Sequence, residues 1–403
     1  MFAQRRLNAW SAGIRNTLAL PLRVELWNGQ RLDFSSEAPR VTIRVPNPGA
    51  LRYLLSPSLY NLGSAYVEGA IEVRGRARDM IAVVGALANH QVPRNAWTRT
   101  LGAFGKGGHT RASDAAAVSY HYDVSNDFYQ AWLDPALVYS CAYFENGDES
   151  LATAQQKKID HILTKIQLQP GQRLLDIGCG WGALVIRAAQ RYGARCVGIT
   201  LSDKQLQLGR EQVARAGVGH LVELRLQDYR DVSGSFDRIT SVGMFEHVGV
   251  RHLPAYFACM RALLADDGLA MNHGLTTTDV NAKSAPYGSG EFIERYVFPD
   301  GELAHLGTVL RAMQEGGLEA LDVENLRRHY ARTCALWTDN FEANAEQIKL
   351  LTDPKKFRIW HVYLAGCSYA FANDWISLYQ IVCRKAGRDP EAIPWSRRYM
   401  YAH

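Results

Sequence analysis

The chain has 403 residues, of which 47% are hydrophobic and 21% charged, a globular composition with room for one large domain and a smaller one. Its formal net charge of +5 suits a protein that visits an anionic surface and is too weak to argue for nucleic acid. Seven cysteines, an odd number without CxxC spacing, argue against a disulfide framework and point to a reducing cytosol.

No apolar run approaches the roughly 18 residues that a membrane span needs. The expectation is a soluble, cytoplasmic chain whose contact with the inner face of the membrane is transient and peripheral. The opening "MFAQRRLNAWSAGIRNTLALPLRV" resembles a signal peptide only superficially: Arg15 and Arg23 interrupt its apolar part, and no small-residue cleavage site follows. Residues 1–95 read as an accessory α+β domain, with a short helix, strand-like runs at 24–26, 31–34 and 41–45, and a turn at Asn28-Gly29. Residues 96–117 read as a linker rich in glycine, small residues and basic charge. Arg99, Lys106 and Arg111 there are either simply solvated or set against anionic lipid headgroups.

From 118 to 403 strands alternate with helices, the mark of a parallel α/β sheet. "RLLDI" at 173–177 is a short buried strand, followed by a glycine turn and the helix "ALVIRAAQRY". "RCVGIT" is the next strand, and "KQLQLGREQVARAG" a helix ended by Gly217. "LVELRLQD", "FDRITSVG" and "GLAMNHGL" supply three more strands, and "ALDVEN" and "SLYQIVCRK" close the sheet. About 50 residues separate these last two, too many for a simple hairpin. They read as two amphipathic helices, one carrying Leu326, Tyr330, Cys334, Trp337 and Phe341, the other Trp360, Leu364, Cys367 and Phe371. Such an insertion either packs into a core or covers an apolar substrate at the ligand end of the sheet.

"LLDIGCGWGA" is the strongest local signal. Gly178, Gly180 and Gly182 let the backbone turn sharply between strand and helix and approach a ligand closely. The pattern is GxGxG after an acid, Asp176, and not the full GxGxxG dinucleotide fingerprint. An NAD enzyme usually ends its second strand in an acid for the ribose; here that strand ends in Thr200 and Ser202, with Asp203 one residue on. Asp228, in "LQDYRD", stands where methyltransferases place a residue against adenine. The set favours S-adenosylmethionine (SAM), which has no pyrophosphate to bind.

"HYDVSNDFY", "YSCAYF", "LDIGCGWG", "GITLS", "SVGMFEHVG", "FIERYVFPDGEL" and "YLAGC" together resemble the cyclopropane-fatty-acyl-phospholipid synthase family, which includes the mycolic acid cyclopropane synthases. The likeness runs from about 118 to 385, and "YVEGAIEVRG" more loosely resembles the extra N-terminal domain of the phospholipid-acting members. The resemblance implies a class I SAM-methyltransferase Rossmann-like sheet with helical lid insertions. It implies methyl transfer from SAM to a cis double bond of a phospholipid acyl chain, with closure to a cyclopropane. A bound bicarbonate would take the proton, held by Cys141, Glu246, His273 and Tyr330, with Cys367 a reactive but inessential thiol near the lipid. SAM would be held by Tyr139, Ser140, Gly178, Gly180, Thr200, Leu201, Gln205, Asp228 and Tyr229, to which Asp176, Gly182 and Ser202 are added from the loop and strand ends. A relative that methylates the same bond but ends in a methyl or methylene branch is the alternative.

Taken singly these residues carry blander readings. Glu246-His247 could be a strand-end surface pair, His273 a satisfied core histidine, and Tyr330 a side chain facing the sheet. Cys141, Glu246 and His273 could ligate zinc, yet no HxxxH or CxxC pair accompanies them and no metal is expected. A serine nucleophile lacks its GxSxG elbow. Tyr143, Phe144, Tyr296 and Phe298 could steady a developing cation through their ring faces, or simply pack. The resemblance also implies a homodimer.

Overall fold

The computed structural model describes residues 10–15, 17–91, 124–281, 289–298 and 301–401; the expected linker at 96–117 lies outside them. The chain divides into two compact units. The first draws its described residues from within 1–107, 284–299 and 337–370, the second from within 108–283, 300–336 and 371–403. Neither is continuous in sequence.

In the first unit, β1 (Leu22–Leu26), β2 (Arg31–Asp33), β3 (Val41–Val45) and β4 (Glu72–Arg74) form a sheet in the order β2-β1-β3-β4. β1 and β3 run parallel; the other pairs are antiparallel. Leu22, Val24 and Leu26 are buried while Arg23 and Glu25 are not, the period of two that a one-faced strand requires. The β1–β2 turn at Asn28-Gly29 needs a left-handed residue, and Gly29 supplies it at φ 85°. Ile43, Leu54 and Leu87 centre its core. Deeper in sequence, His361 reaches Glu342 Oε1 through Nε2 at 3.0 Å and the Tyr66 hydroxyl through Nδ1 at 3.2 Å.

The second unit holds β5 (Arg173–Ile177), β6 (Arg195–Thr200), β7 (Val222–Leu226), β8 (Phe236–Val242), β9 (Leu264–Thr277), β10 (Leu318–Asn325) and β11 (Ile376–Lys385). Their order is β10-β11-β9-β8-β5-β6-β7. The pairs among β5 to β9 are parallel. β11 departs from the expected all-parallel sheet: it enters antiparallel between β9 and β10. Neighbouring residues of one strand serve opposite faces. Leu174, Met271 and Val382 join Ile159, Ile162 and Val185 of the Leu151–Lys165 and Ala183–Tyr192 helices. Leu175, Ala270 and Ile381 join Tyr256, Phe257 and Met313 of the Leu253–Leu263 and Leu306–Glu315 helices. The sheet is thus covered on both sides, as buried parallel strands require.

The chain passes from β5 outward through β6 and β7, then crosses to β8 on the other side of β5. That reversal opens a crevice beyond the carboxyl ends of the strands, where open α/β sheets bind ligands.

Candidate active site

The crevice is lined by the residues that follow four parallel strands: Gly178–Trp181 region after β5, Thr200 and Leu201 at the end of β6, Gln227 to Arg230 after β7, and Val242 to Met244 with His247 after β8. Gly178 and Gly180 adopt φ of 80° and 54°, a left-handed conformation that a side chain would strain. A Cβ on Gly178 would also press on Met244 at 3.2 Å. The turn is fixed to the next strand because the N–H groups of Gly178 and Cys179 both donate to Ile199 O, at 3.0 and 2.9 Å. Asp176 is buried at the strand end and accepts from Thr240 Oγ1 at 2.7 Å. Burial raises its pKa to about 6.

Most of the expected cofactor residues meet here. Tyr139, Ser140, Asp176, Gly178, Gly180, Thr200, Leu201, Gln205, Asp228 and Tyr229 line one pocket. Thr200 Oγ1 donates to Gln205 Oε1 at 2.9 Å and accepts from Ser202 N at 3.1 Å. Gly182 and Ser202 do not line it. Gly182 opens the Ala183–Tyr192 helix in a left-handed turn, where a Cβ would touch Leu224. Ser202 caps the Asp203–Arg215 helix by accepting from Gln205 N. Asp228 does line the pocket, but its carboxylate already accepts from Arg230 Nε at 2.8 Å and Nη2 at 2.6 Å.

The "VYSCAYF" stretch, 138–144, is an irregular segment held by side chains of two helices. Gln155 Nε2 donates to Val138 O at 3.1 Å and Ser140 O at 2.7 Å. On the other side, Ala142 N donates to Thr333 Oγ1 and Phe144 N to His329 Nδ1, each at 3.0 Å. Cys141 is buried between these anchors. Its thiol faces Ala142 O at 3.2 Å and Leu326 O at 3.8 Å, and burial raises its pKa, so it stays protonated.

Four of the five expected catalytic residues belong to the second unit and are linked by short hydrogen-bonded steps. Leu326 O, which Cys141 faces, also accepts from Tyr330 N at 3.0 Å, while Leu326 N donates to Leu378 O at 2.9 Å. Leu378 is paired across the β9–β11 ladder with Leu275, and Leu275 N donates to Glu246 Oε1 at 2.6 Å. His273 lies two residues earlier on β9, its Nδ1 3.2 Å from Gln380 Nε2. With that amide donating, Nδ1 accepts and the ring proton sits on Nε2. Burial holds the imidazole neutral, its pKa well below the usual value. The same burial pushes the Glu246 carboxyl up to about 7. Glu246 Oε2 and His273 Nε2 are buried without a hydrogen-bond partner among the described residues.

Cys367 belongs to the first unit. Burial pushes its thiol up to about 12, which works against the reactivity expected of it. Of the four rings considered for the cation, Tyr143 stacks between the imidazoles of His161 and His329 at 4.3 and 4.9 Å, and Phe144 carries the Arg332 guanidinium at 5.3 Å. Tyr296 and Phe298 belong to the first unit, where Tyr296 donates to Glu68 at 3.0 Å and Phe298 meets Tyr363 edge-on.

Sequence reasoning passed over Gln155, Lys158, Arg230 and Gln380. Lys158 and Arg230 line the pocket; Gln155 holds the carbonyls of Val138 and Ser140, and Gln380 holds the ring of His273. A signal existed for two of them. Gln155 and Lys158 fall on the apolar stripe of their helix with Leu151, Ile159 and Ile162, and a polar residue on a buried stripe asks for a partner.

A doubly covered sheet, its glycine loop after β5 and polar groups at successive strand ends define a class I SAM-dependent methyltransferase. The model of the family described as mycolic acid cyclopropane synthetase matches residues 109–381, and the chain belongs to that family. A model for a domain of unknown function matches residues 9–95. A "Probable fatty acid methyltransferase" of Pseudomonas putida is 44% identical, covering 96% of this chain and 97% of that protein. The cyclopropane-fatty-acyl-phospholipid synthase of Escherichia coli is 34% identical over 89% of this chain and 91% of that one. Among solved structures, a mycolic acid cyclopropane synthase complexed with SAH and CTAB superposes with a TM-score of 0.64 at 35% identity, over 67% of this chain and 98% of its own.

Proposed function

We propose that the protein adds the methyl carbon of SAM to a cis double bond of an unsaturated phospholipid acyl chain and closes a cyclopropane ring, with bicarbonate as proton acceptor. The observation that carries this reading is the pair of buried atoms Glu246 Oε2 and His273 Nε2 beside one strand, neither with a hydrogen-bond partner among the described residues. When bound, SAM supplies the methyl group and bicarbonate a base small enough to share the pocket with a lipid chain. A carbon–carbon bond forms as the sulfonium–methyl bond breaks, leaving S-adenosylhomocysteine (SAH); the transferred carbon then loses a proton and its electron pair closes the third side of the ring. Neutral His273 offers an N–H, Cys141 and Tyr330 offer S–H and O–H, and Glu246 accepts from a hydroxyl. That combination suits bicarbonate better than fully ionised carbonate, which Glu246 would repel.

The first unit is assigned to the lipid surface or to a second copy of the chain, and the protein to the cytoplasm with passing contact at the inner membrane face. No helix among the described residues is long and apolar enough to cross a membrane. A second reading, transfer that ends in a methyl or methylene branch, is favoured by the name of the Pseudomonas putida relative.

Incubation with methyl-labelled SAM and vesicles of cis-unsaturated phospholipid decides between them. Ring closure adds a net CH2, removes olefinic protons and gives upfield ring protons in the NMR spectrum of the fatty acids. A labelled branch would support the second reading. Unlabelled lipid from protein that binds SAH would overturn both.

A further inference from the structure

The Leu151–Lys165 helix buries two lysines with opposite provisions. Lys165 is fully enclosed and paired with Asp322, at 3.2 Å, and with Glu324. Lys158, two turns earlier, is only 2% exposed, yet its one hydrogen bond among the described residues is a donation to Ser140 Oγ at 2.8 Å. Among the described residues no carboxylate lies within ion-pair distance of it. Asp134 and Asp176 act on it only through space, and both are committed elsewhere. Asp134 accepts from the N–H groups of Ala136 and Val138 at 3.0 and 2.9 Å; Asp176 accepts from Thr240.

A buried ammonium with a single neutral partner is an expensive arrangement, and burial pushes Lys158 down to about 8. Unlike Lys165, Lys158 lines the pocket, together with Ser140, Tyr139 and Gly178. The ligand of that pocket carries a sulfonium, an ammonium and one anionic group, its carboxylate. Cys141, Glu246, His273 and Tyr330 do not line this pocket; the lysine lines the cofactor's cavity, while its charge reaches Cys141 and His273 only through space.

We propose that Lys158 is the counter-ion of the SAM methionyl carboxylate, with Ser140 Oγ holding its ammonium toward that group. The assignment rests on SAM occupying this pocket and adds which residue reads its amino-acid end. The missing carboxylate partner is then the ligand itself, and the strain of the buried charge is relieved on binding.

The experiment is a ligand-by-mutant cycle read by calorimetry on the full chain. Parent protein and Lys158→Met are titrated with SAH, with the carboxyl methyl ester of SAH, and with 5′-methylthioadenosine, which lacks the amino-acid end. Parent protein should prefer SAH over its ester by more than tenfold, and Lys158→Met should bind the two within about twofold of each other, as a direct contact demands. Methylthioadenosine should bind both proteins alike, and the thermal midpoint of Lys158→Met should be no lower than the parent's. An unchanged preference for SAH over the ester in Lys158→Met would overturn the assignment. So would an equal loss for all three ligands, which would make Lys158 a shaper of the pocket. Failure of all three to bind the parent would instead overturn the cofactor pocket itself.

Discussion

Glu246 shows how much a single buried carboxyl can say. Its folded pKa near 7 lies above the ordinary carboxylate value of 4.5 because burial penalises the charged form. The stability linked to this group is therefore full below about pH 4.5 and is lost as pH rises through 7, a swing of roughly 3 kcal/mol. Glu246→Gln keeps the oxygen that accepts from Leu275 N and removes the titration. It should be more stable than the parent at pH 8 by up to about 3 kcal/mol, with the gap closing toward pH 4.5 in denaturant titrations. Its turnover should fall far more than its affinity for SAH; equal losses would move Glu246 into the cofactor site. Cys141 makes the opposite case. A protonated, enclosed thiol can donate but cannot attack. Cys141→Ser should lose no more than about tenfold in turnover, against the roughly million-fold loss that removal of a true nucleophile brings. A near-total loss in soluble, SAH-binding protein would restore the nucleophile.

At the scale of elements, the strand β9 and its approach decide whether the site exists. Gly274 sits between His273 and Leu275, and a Cβ there would run into the Phe245 ring and come within 3.1 Å of Glu246 Oε1. Gly274→Ala should destabilise the protein by about 1–3 kcal/mol through overpacking and depress turnover more than SAH binding, since the collision falls on the Glu246 side. An unchanged thermal midpoint would mean that the ring has room to move. Elements of this kind were only partly legible. The strands and the Ala183–Tyr192 helix could be read from periodicity and glycine punctuation, because local pattern and burial agree there. The Leu151–Lys165 helix escaped: its buried stripe carries Gln155, Lys158, His161 and Lys165, so the apolar period is broken by the polar residues it encloses. Lys157 and Lys158 look alike in sequence, yet the first is partly exposed and pairs with Glu145 and Glu149, while the second is enclosed. Only the direction of the helix separates them.

For the whole molecule, the class of sheet could be read from alternating strands and helices, and the glycine turn marked its ligand end. The interleaving of the two units could not, because a stretch such as 337–370 carries no local sign of which core it joins. Nor could the antiparallel entry of β11, since hydrophobic runs do not encode strand direction. The residues expected at the cofactor were legible in proportion to how much they depend on backbone shape; Arg230, which pairs with Asp228 through two nitrogens, depends on a side-chain reach that sequence does not display. The position of β11 also bears on the order in which the molecule comes into being. It follows β5 to β10 in the chain, yet it belongs inside the sheet, between β9 and β10. Until residues 376–385 emerge, β9 is an open edge, and Gln380 cannot yet set the ring of His273. The glycine turn and the strands around it can assemble on a nascent chain, whereas the setting of His273 waits for β11.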